Sequence, residues 1–127
     1  MSVTNTIPTS SHFISLSKAV EMTTAYRADK ETILATTYQN QDILANSETF
    51  NRAALDTLLA IEGCAGIRLY NGMDENLKVH AILVGVNENN EDILPTSSLI
   101  ENEEDEYIAE DGQRCPPLCP PASDLNE

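Results

Sequence analysis

Cys115 and Cys119 stand in the run Cys-Pro-Pro-Leu-Cys-Pro-Pro, and with Cys64 they make up the chain's three cysteines. Thiols so spaced can close a disulfide, supply part of a metal site, or exchange electrons with a partner thiol. A structural zinc needs four ligands, and His12 and His80 are the only histidines available to join the cysteines. His12 falls in a polar leader and His80 inside a strand-like run, so three separate regions would have to converge. A Cys115–Cys119 bridge meets a length problem instead. With Pro116 and Pro117 in polyproline II the two Cα atoms end up about 12 Å apart, and a disulfide tolerates roughly 7 Å. Closure then needs a turn at Pro117-Leu118 or a cis X-Pro bond. Pairing Cys64 with a tail cysteine avoids the problem and would pin the tail beside the first strand of the sheet. In a reducing cytoplasm free thiols are the expectation. Cys64, Cys115 and Cys119 together form the candidate thiol site.

Other residue groupings are less suited to chemistry. A catalytic thiol needs a base beside it. Cys64 follows the end of an expected helix, where the partial negative charge raises a thiol pKa, and His80 would have to approach it across the sheet. Gly63-Cys-Ala-Gly66 lacks the lysine of a phosphate loop and precedes a strand, not a helix. Asp74, Glu75 and Asn76 lack EF-hand spacing and read as a solubilised turn. Arg68, Tyr70 and His80 share one strand face and form a candidate polar patch. With no acid–base pair, metal set or phosphate loop on ordered elements, neither catalysis nor a cofactor is expected.

Charge narrows the partners. The net charge is −14, and it is unevenly spread: residues 1–86 hold six Lys/Arg against nine Asp/Glu, residues 87–127 one against twelve. A polyanion repels nucleic acid and anionic lipid, whose binding depends on Lys and Arg neutralising phosphate. A protein partner of basic character fits better. Met1 to Ser11 has no basic region followed by an apolar one, so no signal peptide is expected. The longest apolar run, Ala81-Ile-Leu-Val-Gly-Val86, falls far short of the roughly 20 residues of a membrane span. The expected location is the cytoplasm.

These residues must be positioned by a small number of elements. Residues 1–13 read as a disordered leader, 14–94 as one domain, and 95–127 as an acidic segment followed by the Cys/Pro tail. Ser15 or Ser17 caps a first helix over about 16–30, with Leu16, Ala19, Val20, Thr23 and Tyr26 at helical spacing. Residues 31–45 are ambiguous between strand and helix, and are taken as helical continuation to about Asn40. Asn46 or Ser47 then caps a second helix, whose apolar face runs through Phe50, Ala54, Leu58 and Ile61 and which ends at Gly63. From Ala65 the period changes to two, predicting strands over 65–70 and 77–86 with a turn at 71–76. A third strand starts at Asp92 and stops at Pro95, and Tyr107-Ile108 is an apolar island able to dock on the domain. The fold class is α+β, two helices covering one face of a small antiparallel meander. Leu58, Ile61, Ile67, Leu69, Leu83 and Val84 are the expected core. Residues 1–12 and 95–106 are expected to be mobile, and an exposed strand edge leaves room for a homodimer.

As a set, Ser15-Leu-x-x-Ala-Val-Glu-Met-Thr, Leu58-Leu59 with Gly63-Cys64, Gly66-Ile-Arg-Leu-Tyr70, Ile82-Leu-Val-Gly-Val86 and Gly112-x-x-Cys-Pro-Pro-x-Cys119 carry a resemblance. They look like a family of small uncharacterised bacterial proteins with a C-terminal Cys-Pro-Pro-x-Cys tail, over residues from about 14 to 120. The resemblance implies a domain with an appended tail, and no activity or site residues. The leading expectation is a small non-enzymatic protein acting through protein contacts. The alternative is a thiol-based redox or metal-responsive protein using Cys115 and Cys119, with or without Cys64.

Overall fold

The computed structural model describes residues 6–95 and 106–126. The chain is α+β, with helices α1 (Leu16–Asp29) and α2 (Arg52–Leu59), and strands β1 (Ser47–Thr49), β2 (Gly66–Met73), β3 (Val79–Val86), β4 (Ile108–Ala109) and β5 (Gln113–Cys115). The strands form two sheets, a β1-β5 pair and a three-stranded sheet ordered β2-β3-β4. The described residues divide into two compact units. Residues 1–5 and 96–105, which hold part of the leader and most of the acidic segment expected to be mobile, lie outside the described residues.

The first unit comprises residues 6–9, 50–72, 81–95 and 106–112. Asn51 caps α2, its side chain accepting from the Ala54 N–H at 2.8 Å. The expected cap at Asn46 or Ser47 is therefore five and four residues too early, and Ser47 instead opens β1. Leu58 is the most enclosed side chain, 2% exposed, and Leu83, Val84 and Val86 of β3 are buried as well. After α2, Gly63 takes φ +83°, the left-handed conformation that reverses the chain with least cost at glycine. The Ala65 N–H then bonds the Val86 carbonyl at 2.7 Å, starting the sheet.

β2 has the expected alternation with its sides reversed. Ile67 and Leu69 are 36% and 56% exposed, while Arg68 between them is half-buried. β2 is an edge strand, and Arg68 is held on the inner side by Asp92 and Asn90. Ile61 is also only half-buried. The third strand expected at Asp92 shrinks to a single bridge, Val86 with Asp92. The island at Ile108 does dock: β4 pairs antiparallel with β3, Leu83 opposite Ala109 and Val84 opposite Ile108.

The second unit comprises residues 10–49, 73–80 and 113–126. The Ser15 hydroxyl accepts from the Lys18 N–H at 3.1 Å and caps α1. The helix does not continue through 31–45. Ile33, Thr36, Thr37 and Tyr38 are weak helix formers, and polar side chains take over the backbone groups. Gln39 donates to the Leu34 carbonyl (3.0 Å), Gln41 to that of Thr37 (2.7 Å), and Glu31 accepts from the Asn40 N–H (2.6 Å). A single 3-10 turn at Thr36–Tyr38 remains. β1 and β5 pair antiparallel, Ser47 opposite Cys115, Glu48 opposite Arg114 and Thr49 opposite Gln113. Glu48 and Arg114 thus make a cross-strand pair of opposite charge, and Ile43, Arg114 and Cys115 are the buried residues of this unit.

Candidate functional site: a groove walled by a disulfide

Arg114 organises the second unit. It is 7% exposed, and its guanidinium donates to the carbonyls of Val79 (3.1 Å), Asp42 (3.0 Å) and Ile43 (3.0 Å). The same loop is tied again by the Val79 N–H to the Ile43 carbonyl at 2.8 Å. A planar fork of five N–H donors suits several carbonyls in one place. Successive side chains of a strand point to opposite faces, so Cys115 faces away from Arg114. There it forms a disulfide with Cys119, Cα to Cα 4.5 Å. The peptide bonds Cys115-Pro116 and Pro116-Pro117 are cis. The segment is folded back, not extended, so the spacing that argued against this bridge does not arise. The expectation of free thiols at these two positions is corrected accordingly. Leu118 N–H to the Arg114 carbonyl, 2.9 Å, closes the same loop through the backbone.

The disulfide forms one wall of an open groove of about 960 Å³. α1 contributes Met22, Thr23, Tyr26 and Arg27, which at i, i+1, i+4 and i+5 occupy one helix face. Ser47 and Thr49 come from β1, and the tail contributes Cys119 to Ser123, Leu125 and Asn126. This accounts for α1, a helix that buries no residue: its informative face lines a groove. Two α1 side chains anchor the helix to the segment leading into β1, Tyr26 Oη to the Ala45 carbonyl (2.7 Å) and Lys30 Nζ to that of Leu44 (3.0 Å). Burial pushes the Tyr26 phenol above its ordinary pKa, so it remains a donor at neutral pH. Arg27 donates to the Leu125 carbonyl and latches the tail to α1. The tail holds its own shape: Asn126 Oδ1 accepts from the Ser123 N–H (2.8 Å), and its Nδ2 donates to the Pro121 carbonyl (3.0 Å).

The lining is mainly apolar. Among the described residues that line it, Arg27 is the one charged side chain, and no carboxylate joins it. A cavity of this size, apolar with a few placed polar groups, suits an organic side chain or a short peptide segment.

The remaining sequence candidates lie elsewhere. Cys64 is a free, half-buried thiol of the first unit, with Sγ 3.3 Å from the Gly66 carbonyl oxygen. It packs on Gly85, where an added Cβ would sit 3.0 Å from the sulfur. Arg68 and Tyr70 come together, both donating to Asp92, and Arg68 also donates to Asn90. His80 does not share that network; its Nε2 lies 2.7 Å from Asp74 Oδ2. Hydrogen bonds from His80 first, then from the Lys78 N–H, hold the Asp74 carboxyl below its ordinary range. Both arrangements brace turns.

Arg114, Asp92 and the α1 face were not among the sequence candidates. A signal existed for the first, since Arg114 is the lone basic residue of the acidic C-terminal third. Among the described residues no three His, Cys, Asp or Glu side chains gather to hold a metal ion, and no helix is long and apolar enough to cross a membrane. Comparison with family models, curated proteins and solved structures gives no match.

Proposed function

We propose that the chain acts by binding a protein partner, without turnover, and that the groove receives an apolar side chain from a basic segment of that partner. The observation that carries this reading is the groove itself: an apolar recess of about 960 Å³ bounded by elements fastened on every side. Its occupant is argued from charge. The chain carries −14, so a second copy is repelled by net charge, while a segment of opposite charge is attracted to the chain and brings its apolar side chain to the apolar lining. A cytoplasmic setting is compatible with the disulfide when that bond is transient.

The test is a titration of the isotope-labelled full chain with a lysine-flanked, leucine-anchored peptide, followed by amide chemical shifts. Shifts should concentrate at Met22, Tyr26, Ser47 and Thr49, and Met22→Glu should weaken binding about tenfold or more, a charge being costly in an apolar recess. Shifts confined to residues outside the groove, or none at millimolar peptide, refute the reading.

A further inference from the structure

The two residues of the disulfide differ in exposure. Cys115 is 6% exposed and held in β5, with its carbonyl accepting from the Asn46 N–H at 2.7 Å. Cys119 is exposed and lies in the tail segment. Both line the groove, and Arg27 lines it with them. Of the two bridged residues that border the groove, Cys119 is therefore the accessible one and Cys115 the one held in place by its strand.

We infer that the Cys115–Cys119 disulfide exchanges with cysteine thiols of a peptide docked in this groove. The inference rests on the docking reading above. In the first step a peptide thiol, having given its proton to solvent, attacks Cys119 Sγ. The bond between the two cysteine sulfurs breaks, a peptide–Cys119 mixed disulfide forms, and Cys115 leaves as a thiolate that takes up a proton. In the second, a neighbouring peptide thiolate attacks its own mixed-disulfide sulfur and releases Cys119 as a thiol. Two electrons pass from the peptide dithiol to the chain; the peptide ends as a disulfide, and no other oxidant is consumed. With a single-cysteine peptide, Cys115 stays in place on its strand and returns the attack, so the adduct is short-lived and a dithiol partner is selected. Exchange with free thiols in bulk needs no groove. Exchange with a docked peptide is accelerated because the reacting sulfurs share a small volume.

The experiment uses the oxidised full chain, a lysine-flanked, leucine-anchored peptide with two cysteines, and its two-serine counterpart. Reduction of the chain is timed by acid quench, alkylation and intact mass. The two-cysteine peptide should react about tenfold or more faster than glutathione at equal thiol concentration, as expected when docking raises effective concentration. An excess of the two-serine peptide should suppress that advantage and leave the glutathione rate unchanged. The quenched mixed disulfide should map to Cys119. A rate no better than that of glutathione, no competition, an adduct on Cys115, or a chain that carries free thiols at both positions after oxidation each overturns the inference. Binding of the two-serine peptide is measured separately by the chemical-shift titration. If it docks and the two-cysteine peptide does not exchange, the exchange fails while docking stands; if it does not dock, both fall.

Discussion

In the first unit the most enclosed side chains are Leu58 of α2 and Leu83, Val84 and Val86 of β3; in the second they are Ile43, Cys115 and a charged residue, Arg114. One centre is aliphatic and adaptable: its energy comes from area removed from water, which is non-directional. The other consists of hydrogen bonds to three carbonyls and one covalent bridge, which act only at fixed distances and angles. The groove belongs to the second. A wall tied this way keeps its place through directional bonds, where aliphatic packing can relax.

That contrast can be broken or sharpened by substitution. The largest loss is expected for Leu58→Ala, about 2–5 kcal/mol in urea denaturation, as for a cavity in a packed core. A change below about 0.5 kcal/mol would be that of an ordinary surface position and would remove the aliphatic half of the comparison. Arg114→Ala should cost about 2–4 kcal/mol, because the half-buried Val79 and Asp42 carbonyls lose their donor and the Ile43 carbonyl keeps only that of Val79. Arg114→Lys should recover only part of this, since one ammonium cannot reproduce the guanidinium fork. Equal stability of the Lys variant and the parent chain would show that charge, not direction, matters there.

Replacing both Cys115 and Cys119 with Ser should cost about 2 kcal/mol, the chain-entropy value for so short a loop. No measurable loss would mean that the hydrogen bonds alone hold the tail. Gly85→Ala should cost about 1 kcal/mol by crowding Cys64 at 3.0 Å. Adding Cys64→Ala should give most of it back, and strict additivity in that double-mutant cycle would rule out the contact. The smallest effect concerns pH. The Asp74 carboxyl is depressed, so it stabilises the fold above the unfolded-chain value of about 3.9. That contribution disappears as pH falls through the lower folded value. Asp74→Asn should flatten only this acid limb of the stability curve, and an unaltered limb would mean that the His80 bond contributes nothing.

The aliphatic unit was the more legible from sequence. Leu58 lies on the apolar stripe of a helix, and Leu83 and Val84 lie in a continuous apolar run, the mark of a strand covered on both faces. The same rule misplaced Ile67 and Leu69. A period of two fixes which residues share a face but not which face turns inward, and the ion pair of Arg68 with Asp92, two residues remote in sequence, decided it. The directional unit left little periodic trace. β1 is Ser-Glu-Thr, without an apolar member, and β5 is recognisable as a strand only through its pairing with β1. The Cys115–Cys119 bridge has its two Cα atoms 4.5 Å apart, a separation that composition does not report. Arg114 stood out only as a lone cation among acids, and the groove exists only once α1, β1 and the tail are brought side by side.

The loop from Arg114 to Leu118 is closed by a backbone hydrogen bond as well as by sulfur, and beyond it Arg27 grips the carbonyl of Leu125. Opening the sulfur bridge therefore undoes one fastening and leaves two. The covalent state of the two sulfurs and the attachment of the tail are thus separable: with the bridge opened, the Leu118 and Arg27 hydrogen bonds still hold the segment in place.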